Sequence, residues 1–408
     1  MKTILTFALA LIAAAASAKS FLIERIDVNA AKQISPAIVL AEMRIDAGKT
    51  YSDEQLQQAL NRVRRLPFVL FASADLKPGS TPDARVLRVN IEEMANFNWT
   101  FDTSALARQR GGGGGRGGEA RVAGSAGYRF FPGRHGTLDA VIDDSNESRV
   151  ASTRRDAELA YNAWGLLGTS AYGSVAVGTI FRTNGRHDVN PSALLGIPLT
   201  RTQSIEATVA RTTERLERSV SGIAEPLRSF ARVTDYGVAW LLQTADDPYF
   251  ARNGFDAGGG PSWQRQELDL PFVLTFPKPP HVVPGRQSRR DFVLSANAAK
   301  YWPLGQASTA WGRFAASTNR LTGTSNGVAF PAARLSLGDF LAGVAHDFNR
   351  ELGESGQSRW RVEAGLGYHL DRISGREASS RSGAEAELGV VYRNRFGLLH
   401  VSVSYVGH

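Results

Sequence analysis

The residues that could do chemistry are few, and their spacing serves it poorly. Gly323-Thr324-Ser325-Asn326-Gly327 matches G-x-S-x-G, the spacing that stands a serine on a tight strand-to-helix turn. Its surroundings are polar and no helical period follows, so no nucleophile elbow is expected there. The seven histidines are scattered and no H-E-x-x-H occurs. The chain has no cysteine, which removes thiolate metal sites and disulfides together. Asp143-Asp144 and Asp246-Asp247 carry carboxylates, but neither pair has the spaced oxygen ligands of a calcium loop. Gly111–Gly118, read as GGGGGRGG, is a low-complexity loop tip. A phosphate cradle would need an ordered strand-to-helix setting and a following Lys-Ser/Thr, and neither is there. The expectation is a chain that is not an enzyme and holds no cofactor or metal.

Charge and hydropathy bound the partners. The formal charge is +8, but the arginines are spread along the chain, so nucleic acid is not expected as a partner. Mean hydropathy is −0.20, the value of a soluble protein. Such an average hides apolar residues when they alternate with polar ones, as they do in a membrane barrel. The first residues, MKTILTFALALIAAAASA, place Lys2 before an apolar run and end on Ala16-Ser17-Ala18. That pattern predicts a cleaved secretory signal over 1–18. Later apolar runs are all interrupted by charges, so no transmembrane helix is expected.

Residues 19–94 read as a small α+β domain. Phe21–Val28 has the look of a strand. Ser35-Pro36 opens a helix that Gly48 closes, by a hydroxyl cap followed by proline at the first helical position. Ser52 and Gln55 have capping-box spacing for a second helix, with Leu56, Ala59, Leu60 and Val63 on one face. Arg62, Arg64 and Arg65 fall near its C-terminal end, where cations suit the helix dipole, and Pro67 ends it. Strands are expected at Val69–Lys77 and Ala84–Glu92, giving the order strand, helix, helix, strand, strand.

Residues 95–408 carry almost no helical period. Segments of about ten residues alternate between apolar and polar, broken by turn residues, which is the barrel signature. In Ser358–Leu370 one face holds Trp360, Val362, Ala364, Leu366, Tyr368 and Leu370, the other Arg359, Arg361, Glu363, Gly365, Gly367 and His369. About fifteen such segments can be marked, from Asn96–Leu106 to Leu398–Tyr405. Bacterial barrels have even strand counts, so 16 strands are expected, with 14 as the alternative. Pro271–Gln287 is too rich in proline for a central strand. Trp164, Trp240 and Trp302 suit interfacial girdles and equally the core of a β-sandwich, and Lys300 falls on an apolar face.

The order and size of 19–94, with Gly48-x-x-Tyr51 and Leu66-Pro67-Phe68, resemble a POTRA domain. A POTRA-like module ahead of a barrel resembles the BamA/TamA-like outer-membrane assembly and translocation superfamily. Three barrel stretches carry that resemblance. Asp246-Asp247-Pro248-Tyr249-Phe250-Ala251-Arg252-Asn253-Gly254 is similar to the family's D-D-P-x-x-P-x-x-G turn, with Ala251 in place of the second proline; Asp246, Asp247, Pro248 and Gly254 are its matching residues. Phe330–Asp339 resembles the approach to the family's lid loop, with Arg334, Gly338, Asp339 and Gly343 as the lid-like residues. The arginine and aromatic of the family's lid tripeptide are missing at Ala342-Gly343-Val344. Glu385–Tyr405 looks like the final hairpin. The resemblance implies a barrel closed along a seam of Asn96–Leu106 and Leu398–Tyr405, including Phe101, Leu399, Val401, Val403 and Tyr405. It implies a Gram-negative-type outer membrane, with the POTRA-like domain in the periplasm. Its implied partners are outer-membrane lipid, an unfolded or secreted polypeptide client, and periplasmic assembly partners. The implied function is insertion into, or translocation across, the outer membrane. A second reading is a passive pore that has lost the lid machinery, made anion-favouring by Arg359 and Arg361 in the lumen.

Overall fold

A computed structural model describes residues 20–30, 33–108, 117–132, 136–147, 153–181, 187–218, 227–269, 272–274, 281–283, 286–325, 328–351, 357–374 and 379–406. The expected signal peptide, and all but the last two residues of Gly111–Gly118, lie outside them. The chain divides into two compact units, one ending at Glu93 and one beginning at Met94.

The first unit runs β1 (Ser20–Ala30), α1 (Pro36–Met43), β2 (Lys49–Ser52), α2 (Asp53–Arg64), β3 (Val69–Pro78) and β4 (Ala84–Glu93). Both helix starts form as their sequences dictate. Ser35 Oγ accepts from Ala37 N at 3.3 Å, and the Ser52–Gln55 capping box is closed by reciprocal bonds of 3.0 and 3.2 Å. The apolar stripe of α2 packs with Ile38, Val39 and Met43 of α1 and with Ile23, Leu87 and Val89 of the sheet in one buried core. Arg62 is not a solvated end charge. It is buried and donates to the carbonyls of Glu42 and Met43, capping the C-terminal end of α1.

The expected order lacked one strand. Gly48 at φ +81° turns the chain back, so that Lys49–Ser52 pairs antiparallel with Ser20–Ile23. Four residues are too short a run to show a period. The sheet order is β2-β1-β4-β3, with β1 and β4 parallel.

The second unit is a closed barrel of 15 strands. In chain order they are β5 (Phe97–Arg108), β6 (Gly117–Phe130), β7 (Gly136–Glu147), β8 (Thr153–Leu166), β9 (Ala171–Phe181), β10 (His187–Pro198), β11 (Gln203–Arg218), β12 (Leu227–Gln243) and β13 (Gly254–Asp269). After a separate small hairpin of β14 (Phe272–Leu274) and β15 (His281–Val283) come β16 (Arg286–Pro303), β17 (Ser308–Ser325), β18 (Val328–Glu351), β19 (Gln357–Ser374), β20 (Ser379–Asn394) and β21 (Gly397–Val406). The small hairpin occupies the proline-rich stretch, outside the ring.

The expected count of 16, or 14, is therefore corrected to 15. An even count follows only if every neighbouring pair is antiparallel. Here β21 and β5 close the ring in parallel, Gly397 opposite Trp99 through Val406 opposite Arg108. A parallel ladder also satisfies backbone N–H and C=O groups, so the ring closes without a free edge.

Alternation sorts the side chains as the sequence implied. Trp360, Val362, Leu366 and Tyr368 are exposed on the outside of β19, while Arg361 and Glu363 are buried on its inner face. Trp240 and Trp302 are exposed outside, with the Lys300 ammonium 6.0 Å from the Trp302 ring. Trp164 departs from the expected girdle: it is buried, beside a bulge between Trp164 and Leu166.

Candidate functional site: a docked turn and the closing seam

Strand direction alternates around the barrel, so the turns fall at two mouths. The near mouth is the one at which β5 begins. It also carries the turns β6–β7, β8–β9, β10–β11, β12–β13, β16–β17, β18–β19 and β20–β21.

The β12–β13 turn, Thr244–Asn253, is the Asp-Asp-Pro segment marked in the sequence. It is built from its own backbone outward. Gly254 stands at φ +114°, and a Cβ there would lie 2.5 Å from Ala245 Cα, so only glycine fits. Asp246 Oδ1 accepts from Arg252 N at 2.8 Å and Asn253 N at 3.2 Å. Asp247 Oδ1 accepts from Tyr249 N and Phe250 N, each at 2.9 Å. Thr244 and Ala245 N donate to Asp256 Oδ1 at 3.0 Å. These carboxylates hold backbone N–H groups and an arginine, and they do not converge on an empty metal site.

The turn lies on the inner wall of strands that are not its neighbours. Arg359 of β19 donates from Nη1 to Asp247 Oδ2 at 2.5 Å and stacks 4.3 Å from the Phe250 ring centre. Arg361, also of β19, donates to Ala251 O at 2.9 Å and grips Asp347 of β18 through two bonds of 2.7 and 3.1 Å. Arg393 of β20 stands 4.8 Å from the Tyr249 ring. Arg252 reaches the carbonyl of Gly305 in the β16–β17 turn. Phe250 and Ala251 are buried as a result. Burial pushes the Asp247 carboxyl up, but the Arg359 guanidinium and the two backbone N–H groups outweigh it and hold the group below the ordinary carboxylate range. The arrangement is a latch that braces the near mouth. Arg359 and Arg361, expected as bare lumen charges, are each paired with an aspartate.

The lid-like residues are not in a loop. Arg334, Gly338, Asp339 and Gly343 all lie along the 24-residue strand β18. Arg334 pairs with Asn319 and Ile373, Gly338 with Leu370 beside a bulge, and Asp339 with His369. Gly343 has a packing reason. It lies between Trp311 and Gly365 in the ladder, and its Cβ would fall 2.6 Å from Trp311 Cζ2. Trp311, 2% exposed, lies over both glycines, and Arg313 stacks on it at 4.4 Å while pairing with Glu363 at 3.1 Å. Sequence reading missed this column, although glycines at matching positions of two adjacent strands were a visible signal. Gly323–Ser325 ends β17, and among the described residues no helix follows.

At the seam, Phe101, Val403 and Tyr405 are exposed on the outside, Leu399 and Val401 are half-buried, and Ser402 is buried on the inside. Leu399 sits opposite Phe101, and His400 Nδ1 approaches Asp102 Oδ1 at 3.5 Å across the closure. Ala95 N and Trp99 N donate to the carbonyls of Arg395 and Phe396 at 2.9 and 3.0 Å, tying the near end of the seam.

No protein-family profile matches the chain, and no curated protein sequence is similar to it. Similar solved structures include BamA from Haemophilus ducreyi lacking POTRA domains 1–3, at 12% identity and a TM-score of 0.39 over 95% of this chain and 81% of that one. They also include CdiB from Acinetobacter baumannii, at 10% identity and a TM-score of 0.44 over 92% of this chain and 68% of that one. At these levels neither lends this chain its function.

Proposed function

We propose that the chain is an outer-membrane protein of the BamA/TamA-like superfamily that assists polypeptides into or across that membrane. Its α+β unit, of POTRA kind, meets the client and assembly partners in the periplasm, and the barrel receives the client at the β5–β21 seam. No catalytic step is part of this reading. The observation that carries it is the direction of the seam. Every other barrel pairing described is antiparallel, and β21–β5 alone is parallel. Parallel pairing is slightly less stable per residue, so the ring has one weaker line. A strand entering there antiparallel to both β5 and β21 would restore alternation around the barrel. In the α+β unit, β3 is a sheet edge, able to add an extended segment.

The chain has no cysteine, so single cysteines report cleanly. Phe101→Cys and Val401→Cys should form disulfides in vivo with a stalled client carrying a cysteine, and Leu366→Cys, outside and away from the seam, should not. Adducts absent at both seam positions, or equal at Leu366, would sink the proposal. The passive-pore reading is weakened because Arg359 and Arg361, the charges that motivated it, are neutralised by Asp247 and Asp347.

A further inference from the structure

The outward apolar series continues beyond the strands at the near mouth. On β10 the outward residues Leu195 and Ile197 are followed, two residues on, by Leu199 in the turn, 53% exposed. On β16 Trp302 is followed by Leu304, 61% exposed, and on β20 the same face leads through Tyr392 and Asn394 to Phe396, 45% exposed. The β8–β9 turn presents Leu167, fully exposed at 101% of its reference area.

Leu167 also stands at φ +54°, between Gly165 at +69° and Gly168 at +73°. Leucine is disfavoured in the left-handed region, where a turn in water uses Gly, Asn or Asp. The chain thus accepts backbone strain to hold a leucine out in the open. An apolar side chain presented this way has a use outside the chain.

We propose that these near-mouth turns are lipid anchors. Leu167, Leu199, Leu304 and Phe396 seat in the headgroup–acyl boundary of the leaflet at that mouth, extending the apolar belt past the strand ends. Continuity with the outward face identifies lipid as the occupant, because each of the last three continues a period-two series that already faces outward. The inference rests on the membrane-spanning reading of the barrel.

The test uses the full chain in phosphatidylethanolamine–phosphatidylglycerol vesicles. Single cysteines at the four tips, and at Leu366 in the middle of β19 as a control, carry a fluorophore. Nitroxide lipids quench from the headgroup or from deep in the acyl chains, and iodide quenches from water. Tip labels should be quenched at least threefold more by the shallow nitroxide than by the deep one, Leu366 the reverse, with iodide reaching none of them well. Tips open to iodide and untouched by either nitroxide, with Leu366 quenched from the deep position, would overturn the anchor and leave the membrane span intact. Tips shielded from iodide but unquenched by lipid would also overturn it, pointing to a protein cover. Leu366 unquenched as well would mean that the barrel does not span, and both readings would fail.

Discussion

The latch between Asp247 and Arg359 makes a quantitative prediction. Arg359→Met keeps most of the side-chain bulk against Phe250 and removes the charge. Breaking one side of a fully buried ion pair costs about 3–5 kcal/mol. Here the side chains are 17% and 12% exposed, and Asp247 keeps its two backbone N–H partners. Water and those donors soften the loss, so about 2 kcal/mol is expected, in the range for a hydrogen bond to a charged group.

That penalty falls on docking of the turn, not on the barrel as a whole, because the barrel strands keep their own ladders. The readout is amide hydrogen exchange at Tyr249, Phe250, Arg252 and Asn253, whose N–H groups are held by Asp247 and Asp246. Exchange there should accelerate about 30-fold, since each 1.4 kcal/mol is a factor of ten. Asp247→Asn keeps an oxygen acceptor and loses only the charge. In the double variant the two effects should fall short of additive by about 1–2 kcal/mol, as expected of residues in direct contact. Unchanged protection in Arg359→Met, or strict additivity, would show that the turn is held by its internal bonds alone.

Other consequences can be checked in the same chain. Because Asp247 is held below the ordinary carboxylate range, its contribution is complete above that range and is lost as pH falls through its lowered value; exchange of the turn amides, corrected for intrinsic rates, should stay level from pH 7 to 5 and rise only in stronger acid. Burial pushes the Glu42 carboxyl up despite Arg44, Arg62 and Arg65, so its ionised form opposes folding as pH rises through that raised value. Glu42→Gln should therefore slow exchange in α1 and α2 at neutral pH and leave it unchanged in acid, where Glu42 is already protonated. A Cβ at Gly365 would lie 2.5 Å from Trp311 Cη2, so Gly365→Ala should destabilise the barrel by about 1–3 kcal/mol, with Trp311→Leu restoring part of the loss in a heat-modified gel-mobility assay. Along β21, amide exchange should quicken from Leu398 toward Val406, because the extra bonds to Arg395 and Phe396 fix only the near end; uniform exchange would count against a seam that opens from one end.

Much of this fold is legible in the sequence because one face of each strand points out of the barrel and the other points in, which gives the side chains a period of two. Each of the fifteen marked segments corresponds to one barrel strand, and the capping residues place the starts of both helices of the first unit, although the first ends at Met43 with Arg44 in the left-handed region, before Gly48. What stayed hidden was non-local. The direction of closure depends on the parity of the whole ring, which no single segment carries. Arg359 and Asp247 lie 112 positions apart, and nothing in either neighbourhood predicts that a turn crosses three intervening strands to reach β19. Family resemblance sets Phe330–Asp339 apart as a lid-loop approach, yet the ladder of β18 runs through it with one bulge on each side. Gly343, with Gly365 of β19, serves Trp311, a contact visible only once the strands are paired.

The parity of the ring also sets what meets at the near mouth. With an odd number of alternating strands, β5 and β21 must both begin at the same end. The β20–β21 turn therefore arrives beside the start of β5, and the bonds from Ala95 and Trp99 can staple them there. The latch turn and the apolar tips belong to this mouth as well, since both lie on connections between an even and an odd member of the ring. A seam opening throughout its length would have to break these staples and strain a mouth already braced by Arg359, Arg361 and Arg393. Parting from the other end leaves these staples in place and opens the parallel ladder from Val406 opposite Arg108 inward. On the proposed function, the braced mouth and the β5–β21 seam are parts of one arrangement, in which the first confines movement to the second.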